Sequence, residues 1–513
     1  RQLCVQGREP RSTNQGAEES VMSWQNYPLI RLIIPFTLGM IGANLFIGHM
    51  NLVVLFILCC AVLAFLFFFL KTPQDNYRNN AFGIVAMVLF FLIGMTLHTL
   101  KHQSIERSIP QDTTYIQGIL TEQPTKKAHS WALHLKEGDA HIILYVKGDP
   151  LSKGNLGLSI GDTILASPTH FNPTNICEND TFKTFYNYLF HNGICATAYA
   201  PRGKWVVKPC QQKASFLTSL HALQGTLHTI YDEHGINGEA GSIIEAMTIG
   251  KKDAINKETR TAYAHAGVSH VLALSGFHVG IIVLMLQFFL FKNYLLLRWQ
   301  WVCNVLIILA LWGYALITGM SPSLVRATLM FTILLLCQSF SRTSLSINSC
   351  ALTFFIMLCI NPFYLQHVGF QLSFISVTSI SLFVPKLQSF QMSLGLKRIL
   401  QLVAITFICT LFTAPLVAHD FGCIPFLSIL SNLLLIGFVY LLMWTSILWW
   451  AFLWCDPINA LLTDLLNGTA STMNTITESI SSLPFATIDW QPDVLTTCLC
   501  YVALLILSNR IAK

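Results

Sequence analysis

The chain has 513 residues, of which 53% are hydrophobic and 11% charged, against about 25% charged in soluble domains. Its apolar residues come in runs close to the ~20 that a helix needs to cross about 30 Å of hydrocarbon, and they do not alternate as membrane β-strands do. A soluble globule and a membrane β-barrel are thereby excluded, while the net charge of +6 says little about partners.

Residues 1–27 read as a disordered or spurious tail. Positions 1–21 are polar, carry Arg1, Arg8 and Arg11 and do not begin with Met, whereas Met22 is a plausible natural start. No cleavable secretory signal is expected, because the first apolar run is too long for a signal core. Three spans follow within residues 28–100, near 29–48, 52–70 and 82–100. Lys71 and Arg78 lie between the second and third, so the positive-inside rule puts that loop in the cytoplasm and the next segment outside.

Residues 101–213 are polar and read as a small extracytoplasmic β-barrel domain, for which an oligonucleotide-binding (OB-like) fold is one form. Strands are expected at Tyr115–Leu120, Trp131–Leu135, His141–Val146, Thr163–Ala166 and Ile194–Tyr199, separated by turn signals such as Glu137-Gly138-Asp139. Three of the 15 cysteines, Cys177, Cys195 and Cys210, lie in this insert, and a disulfide among them is possible on an oxidising side. Most of the others sit in apolar runs, where Cys acts as a small hydrophobe.

Residues 214–262 carry an amphipathic helix and a linker. Phe216, Leu217, Leu220, Leu223, Leu227, Ile230 and Tyr231 form one apolar face that can lie in a membrane interface. His221, His228 and His234 are read as solvated or interfacial histidines rather than metal ligands. No cofactor, metal or catalytic group is expected anywhere in the chain.

From residue 263 to 513 the chain returns to the membrane, with apolar segments near 271–291, 295–318, 324–340, 347–360, 368–385, 399–417, 424–442, 443–455 and 494–508. Pro322, Pro362, Pro415 and Pro425 interrupt or border them. Broken helices at membrane depth are tolerated where they are buried in protein or line a wet cavity. The fold class is therefore a polytopic α-helical membrane protein with an inserted β domain, and this half reads as a conduit.

Four stretches carry chemistry. Gly267–Gly280 reads G-V-S-H-V-L-A-L-S-G-F-H-V-G and places Ser269, His270, Ser275 and His278 in apolar surroundings, with Gly276 and Gly280 as a small-xxx-small pair for close helix approach. In Gly319–Met330, Ser321 and Pro322 look like an N-cap and first helical residue. Arg326 of the same stretch either snorkels to the interface or faces a polar lumen, where a guanidinium grips phosphate. Asn361–Phe374 contributes Gln371 and Ser373 among aromatics. Ala414–Leu433 holds Pro415, His419, Asp420, Pro425, Ser431 and Asn432; the His419–Asp420 pair is read as a loop rather than a proton relay.

In this order the stretches resemble the ComEC family of bacterial competence proteins. The match rests on S-H-V-L-A-L-S-G-F-H-V-G at Ser269–Gly280, the Arg326-Ala327…Met330 signature, Asn361–Phe374, Pro415–Leu433, and Phe182–Gly193 after the polar domain. The resemblance runs from Pro28 to about Leu507. It implies a channel of the bacterial inner membrane that conducts single-stranded DNA to the cytoplasm during natural transformation. DNA, the lipid bilayer and other competence proteins would be the partners: a periplasmic DNA-binding receptor and cytoplasmic helicase or strand-binding proteins. Candidate path residues are Ser269, His270, Ser275, Gly276, His278, Arg326, Gln371, Ser373 and Asn432. Many family members add a C-terminal metallo-β-lactamase-like domain, but here the chain ends at Lys513 and no H-x-H-x-D-H signature is found, so the form without that domain is expected.

Residues 101–270 are not strongly basic, which weakens a simple electrostatic funnel. Tyr115, Trp131, Tyr145, Phe171, Tyr186, Tyr199 and Trp205 serve either as base-stacking platforms or as domain core. Two other readings remain. One is a small-solute or ion transporter, although no inverted repeat is visible. The other is an intramembrane serine protease built on Ser275 with His278 or His419 as base, which demands a geometry that sequence does not supply.

Overall fold

The computed structural model describes residues 28–45, 52–70, 76–110, 114–127, 129–147, 158, 160–174, 180–208, 216–252, 254–291, 299–339, 346–387 and 394–512. Three helices open the chain, α1 (Pro28–Leu45), α2 (Leu52–Leu70) and α3 (Asn76–Arg107). α1 and α3 cross closely because glycine faces backbone on each side. A Cβ at Gly39 would lie 2.0 Å from the Phe91 carbonyl oxygen, and one at Gly94 would lie 2.1 Å from that of Phe36.

The polar insert folds as a sheet of eight strands: β1 (Ile116–Leu120), β2 (Thr125–Lys126), β3 (Trp131–Glu137), β4 (Ala140–Val146), β5 (Thr163–Ala166), β6 (His170–Pro173), β7 (Ala196–Ala200) and β8 (Trp205–Lys208). All five expected strands form; β2, β6 and β8 are short additions. The β3–β4 register, Trp131↔Val146 to Glu137↔Ala140, is closed by a two-residue turn with Gly138 at φ 59. Strand order is β6-β7-β4-β3-β1-β5-β8, with β2 beside β3. The expected closed barrel is thus an open sheet. Between β5 and β6 the backbone turns aside, Ser167 N donating to the Lys204 carbonyl and Thr169 N to that of Tyr199, so the ladder is interrupted there.

Ile116, Leu133, Leu144 and Ile164 form the core of this domain, joined by Ile105 of α3 and by Phe363 from a 3-10 turn at Pro362–Gln366. The domain therefore rests on the helical bundle. Trp131, Phe171 and Trp205 pack around that core, whereas Tyr115 is 63% exposed. Cys195 is buried with its Sγ 2.9 Å from Ser108 Oγ; Cys177 and Cys210 lie outside the described residues. A helix that was not anticipated, α4 (Asp180–His191), precedes β7.

The amphipathic helix is α5 (Phe216–Glu233), followed by α6 (Gly238–Thr248) and α7 (Lys257–His265), both read from sequence as linker. Then come α8 (Ser269–Leu272), α9 (Gly276–Phe291), α10 (Gln300–Ile317), α11 (Pro322–Ser339), α12 (Ser346–Ile360), α13 (Val368–Leu387), α14 (Leu394–Phe421), β9 (Cys423–Pro425), α15 (Ser428–Ala451), α16 (Asp456–Ser481), β10 (Thr487–Asp489) and α17 (Val494–Ala512). The expected pair of spans at 424–442 and 443–455 is one helix, α15. Among the described residues five helices are long and apolar enough to cross a membrane, within Phe82–Arg107, Gln300–Ile317, Pro322–Ser339, Leu400–Phe421 and Ser428–Ala451. Shorter apolar helices accompany them. The chain is a multi-pass membrane protein by these lengths and compositions.

Helix α16 escaped the hydropathy pattern because its buried face is polar, with Asn459, Thr463, Asn474 and Thr477 turned inward. Those groups are satisfied: Trp449 Nε1 donates to Thr463 Oγ1 at 2.8 Å, and Tyr263 Oη to Asn474 Oδ1 at 3.1 Å. A single core joins Ile243 of α6, Val279 of α9, Leu311 of α10, Leu435 of α15 and Leu466 of α16. His419 and Asp420 are not a loop. They form the last turn of α14, with His419 Nδ1 2.9 Å from the Pro492 carbonyl oxygen.

Candidate functional site

The Gly267–Gly280 stretch is a helix broken in the middle. α7 ends in a Schellman cap, Val268 N bonding the Tyr263 carbonyl at 2.9 Å and Gly267 N that of Ala264 at 3.0 Å. Gly267 takes φ 74, and a Cβ there would lie 2.5 Å from Ser428 Cβ and 2.9 Å from Pro425 Cβ. Only glycine lets the first motif dock on the fourth. One turn of α8 follows, the chain opens at Ala273–Ser275, and α9 begins at Gly276.

Ser275 caps α9. Val279 N donates to its carbonyl at 3.3 Å, and His278 Nδ1 receives Ser275 N at 3.3 Å and lies 3.0 Å from Ser275 Oγ. The bond from Ser275 N is the returning half of a capping box, with histidine in the usual place of Glu or Gln. A backbone N–H only donates, so Nδ1 is an acceptor and Nε2 carries the proton. His278 is buried at 1% exposure, and Nε2 has no hydrogen-bond partner among the described residues. The cap accounts for the serine–histidine contact on which a protease reading would rest.

Gly276 and Gly280 face α11, where added Cβ atoms would meet Ala327 at 3.6 Å and Phe331 at 3.4 Å. The small-xxx-small pair thus sets the approach of two helices that run side by side. Arg326 lies inside the bundle. It is buried at 6% exposure, donates from Nη2 to the Gly369 carbonyl at 2.9 Å and lies 5.7 Å over the Phe370 ring. Its guanidinium ties α11 to the start of α13. Gln371 is half-buried and donates from Nε2 to the Leu365 carbonyl at 2.8 Å. Ser373 and Asn432 are half-buried; Ser269, His270 and Gly276 are solvent-exposed.

Beside the broken helix lies a cavity of about 350 Å³ where the β domain, α5 and the bundle meet. Its walls come from Glu122, Gln123 and Thr125 after β1, Gln224 and Gly225 of α5, Gly250, Lys251 and Lys252 after α6, Leu274, and the α10–α11 turn. Gln224 Nε2 donates to the Ile317 carbonyl at 2.7 Å and pins α5 against α10. The α10–α11 turn is a second Schellman cap, with Gly319 at φ 80 and Met320 N bonding the Ala315 carbonyl at 2.8 Å. Val325 N then bonds the Ser321 carbonyl at 3.0 Å, as expected for Ser321 as N-cap. Arg260 donates to the Lys252 carbonyl. Burial among these walls, and then the charge of Arg260, lower the Lys252 pKa from its usual value.

Sequence reasoning missed Gln224, Lys251 and Lys252 as wall residues, because the turns that gather them are distant along the chain. It also missed Glu245, a lone carboxylate in the apolar run Ile243-Ile244-Glu245-Ala246-Met247 that could have signalled a special site. Glu245 meets His228, so that histidine is not merely solvated. His234 is held by the Ile230 carbonyl at 2.9 Å from Nδ1.

Fold and junction together define a polytopic membrane protein whose β domain stands over a polar cavity next to a broken helix. The family model described as Competence protein matches residues 247–513. The chain belongs to this competence family. It is 25% identical over 342 residues to ComE operon protein 3 of Bacillus subtilis (strain 168), a match that covers 66% of this chain and 41% of that protein. The chain thus spans well under two thirds of that relative's length. No solved structure matches.

Proposed function

We propose that this protein conducts one strand of DNA across the bacterial cytoplasmic membrane during natural transformation. The observation that carries the reading is the α8–α9 break. Ser269 and His270 keep solvent-exposed surface there, in a chain whose flanking residues Val268, Val271 and Leu272 are buried. Irregular backbone with exposed polar groups beside apolar helices is what a water-filled path requires. Family membership supports the same reading. The strand passes Ser269, His270, Ser275 and Gly276, with Gln371, Ser373 and Asn432 along the route; His278 and Arg326, being enclosed, hold its walls in place.

The β domain lies on the outer face in this account and receives the strand. It is OB-like: β4 and β7 pair in parallel while β1 bridges β3 and β5, a non-sequential arrangement in keeping with a partly open Greek-key barrel. Lys251 and Lys252 supply cationic charge at the cavity between this domain and the bundle. Partners are single-stranded DNA, the bilayer and other competence proteins that deliver or draw in the strand.

Deleting the gene in a transformable host tests the proposal. Labelled DNA should still reach a nuclease-protected state but fail to enter the cytoplasm. Normal transformation in the deletion strain overturns it.

A further inference from the structure

We propose that His228 and Asp232, with Glu245 oriented behind His228, bind a divalent transition-metal cation of the zinc class at the α5–α6 contact. His228 and Asp232 stand one turn apart on α5, and Glu245 comes from α6. His228 Nδ1 lies 2.6 Å from Glu245 Oε1, and His228 Nε2 lies 3.5 Å from Asp232 Oδ2. One donor atom from each of the three side chains falls within 4.8 Å of the others.

The two distances have different meanings. The short one is a charge-assisted hydrogen bond, Nδ1–H to carboxylate. It fixes the tautomer and turns the Nε2 lone pair toward Asp232. The longer one matches two ligands on one ion: with bonds of about 2.0–2.1 Å at tetrahedral angles, donor atoms stand roughly 3.4 Å apart. A carboxylate behind a histidine whose other nitrogen meets a metal is a recurrent arrangement that raises ligand basicity. Imidazole and carboxylate together suit zinc-class ions better than magnesium or calcium, which take oxygen ligands.

Glu245 supplies the second, independent observation. It is only 3% exposed, and its other oxygen, Oε2, is buried without a hydrogen-bond partner among the described residues. A buried carboxylate left half-satisfied is costly unless charge nearby offsets it. One imidazolium shared with Asp232 leaves the cluster net negative; a dication beside it does not. His228 and Asp232 remain 34% and 50% exposed, so the ion keeps open positions for water or a substrate oxygen. Gln224 of the cavity wall lies one turn before His228. The site is independent of the DNA-channel reading.

Tag-free full-length protein in detergent, stripped with chelator, is titrated with Zn²⁺ by calorimetry and with Co²⁺ by absorbance. One saturable high-affinity site is expected, with a Co²⁺ spectrum of mixed nitrogen and oxygen ligation. Asp232→Asn, at a half-exposed position where folding is retained, should abolish it. Glu245→Gln should keep the stoichiometry and weaken affinity about 10–100-fold. Absence of saturable binding in the unaltered chain, or unchanged affinity in Asp232→Asn, overturns the proposal.

Discussion

At Gly267 the backbone requires φ 74 and the packing leaves no room for a methyl group. Gly138 also has positive φ, at 59, but nothing lies within 4 Å of its Cβ position. The pair separates two effects. Gly138→Ala should cost about 1–2 kcal/mol from the left-handed conformation alone. Gly267→Ala adds the clash with Ser428 and Pro425 and should lower the thermal midpoint further, read by unfolding in detergent; equal shifts would deny the docking of the two motifs. His278→Ala should cost ~1 kcal/mol, as loss of an N-terminal cap does, and Gln at 278 should recover most of it. Sequence alone pointed to Ser275, His278, Gly276 and Gly280 as special. A spacing of three residues does not distinguish a side chain that faces a lumen from one that reaches back to cap its own helix, so His278 was legible as a position and not as a role. Arg326 was open for the same reason: its acceptor, the Gly369 carbonyl, lies 43 residues away.

The strands of the β domain were readable because alternation survives in them: β1 buries Ile116, Gly118 and Leu120 and exposes Gln117 and Ile119. α4, α6, α7 and α16 were not. α16 buries Thr and Asn, of which Thr463 and Asn474 find partners on other helices, and hydropathy does not register such a face. The junction of the β domain with α3 and the Pro362–Gln366 turn is built from rings, with His191 5.3 Å and Phe190 5.8 Å from Phe363. Burial first, then His367 and His102, push the His191 pKa down to about 4, against about 6.5 in an unfolded chain. Between those values the unfolded state binds the extra proton, so stability falls as pH drops from 6.5 towards 4 and is fully present above that window. Hydrogen exchange in β7 and α4 should accelerate over this range in the unaltered chain and less so in His191→Phe. A flat pH response would contradict the role given to His191.

Across the whole molecule, composition and run length already defined a membrane protein, and the ordered motifs already pointed to the competence family. What sequence could not give was the meeting of remote turns around one cavity. Lys251→Ala with Lys252→Ala should reduce DNA transfer most strongly at low ionic strength, where the attraction they supply is least screened, while membrane insertion is unchanged. The N-terminal helices pack through Phe36 and Met40 against Met357, Leu358 and Phe370. They therefore brace α12 and α13, the helices on either side of the turn that meets the β domain.

The most direct measurement places a photo-crosslinking amino acid at position 270 and, separately, at Leu309, which is 62% exposed on α10 away from the break. Cells are illuminated while labelled DNA is being taken up. Crosslinks to a single strand are expected at position 270 and not at position 309. Equal capture at both, or none at 270 while transformation proceeds, would contradict a strand path along the α8–α9 break.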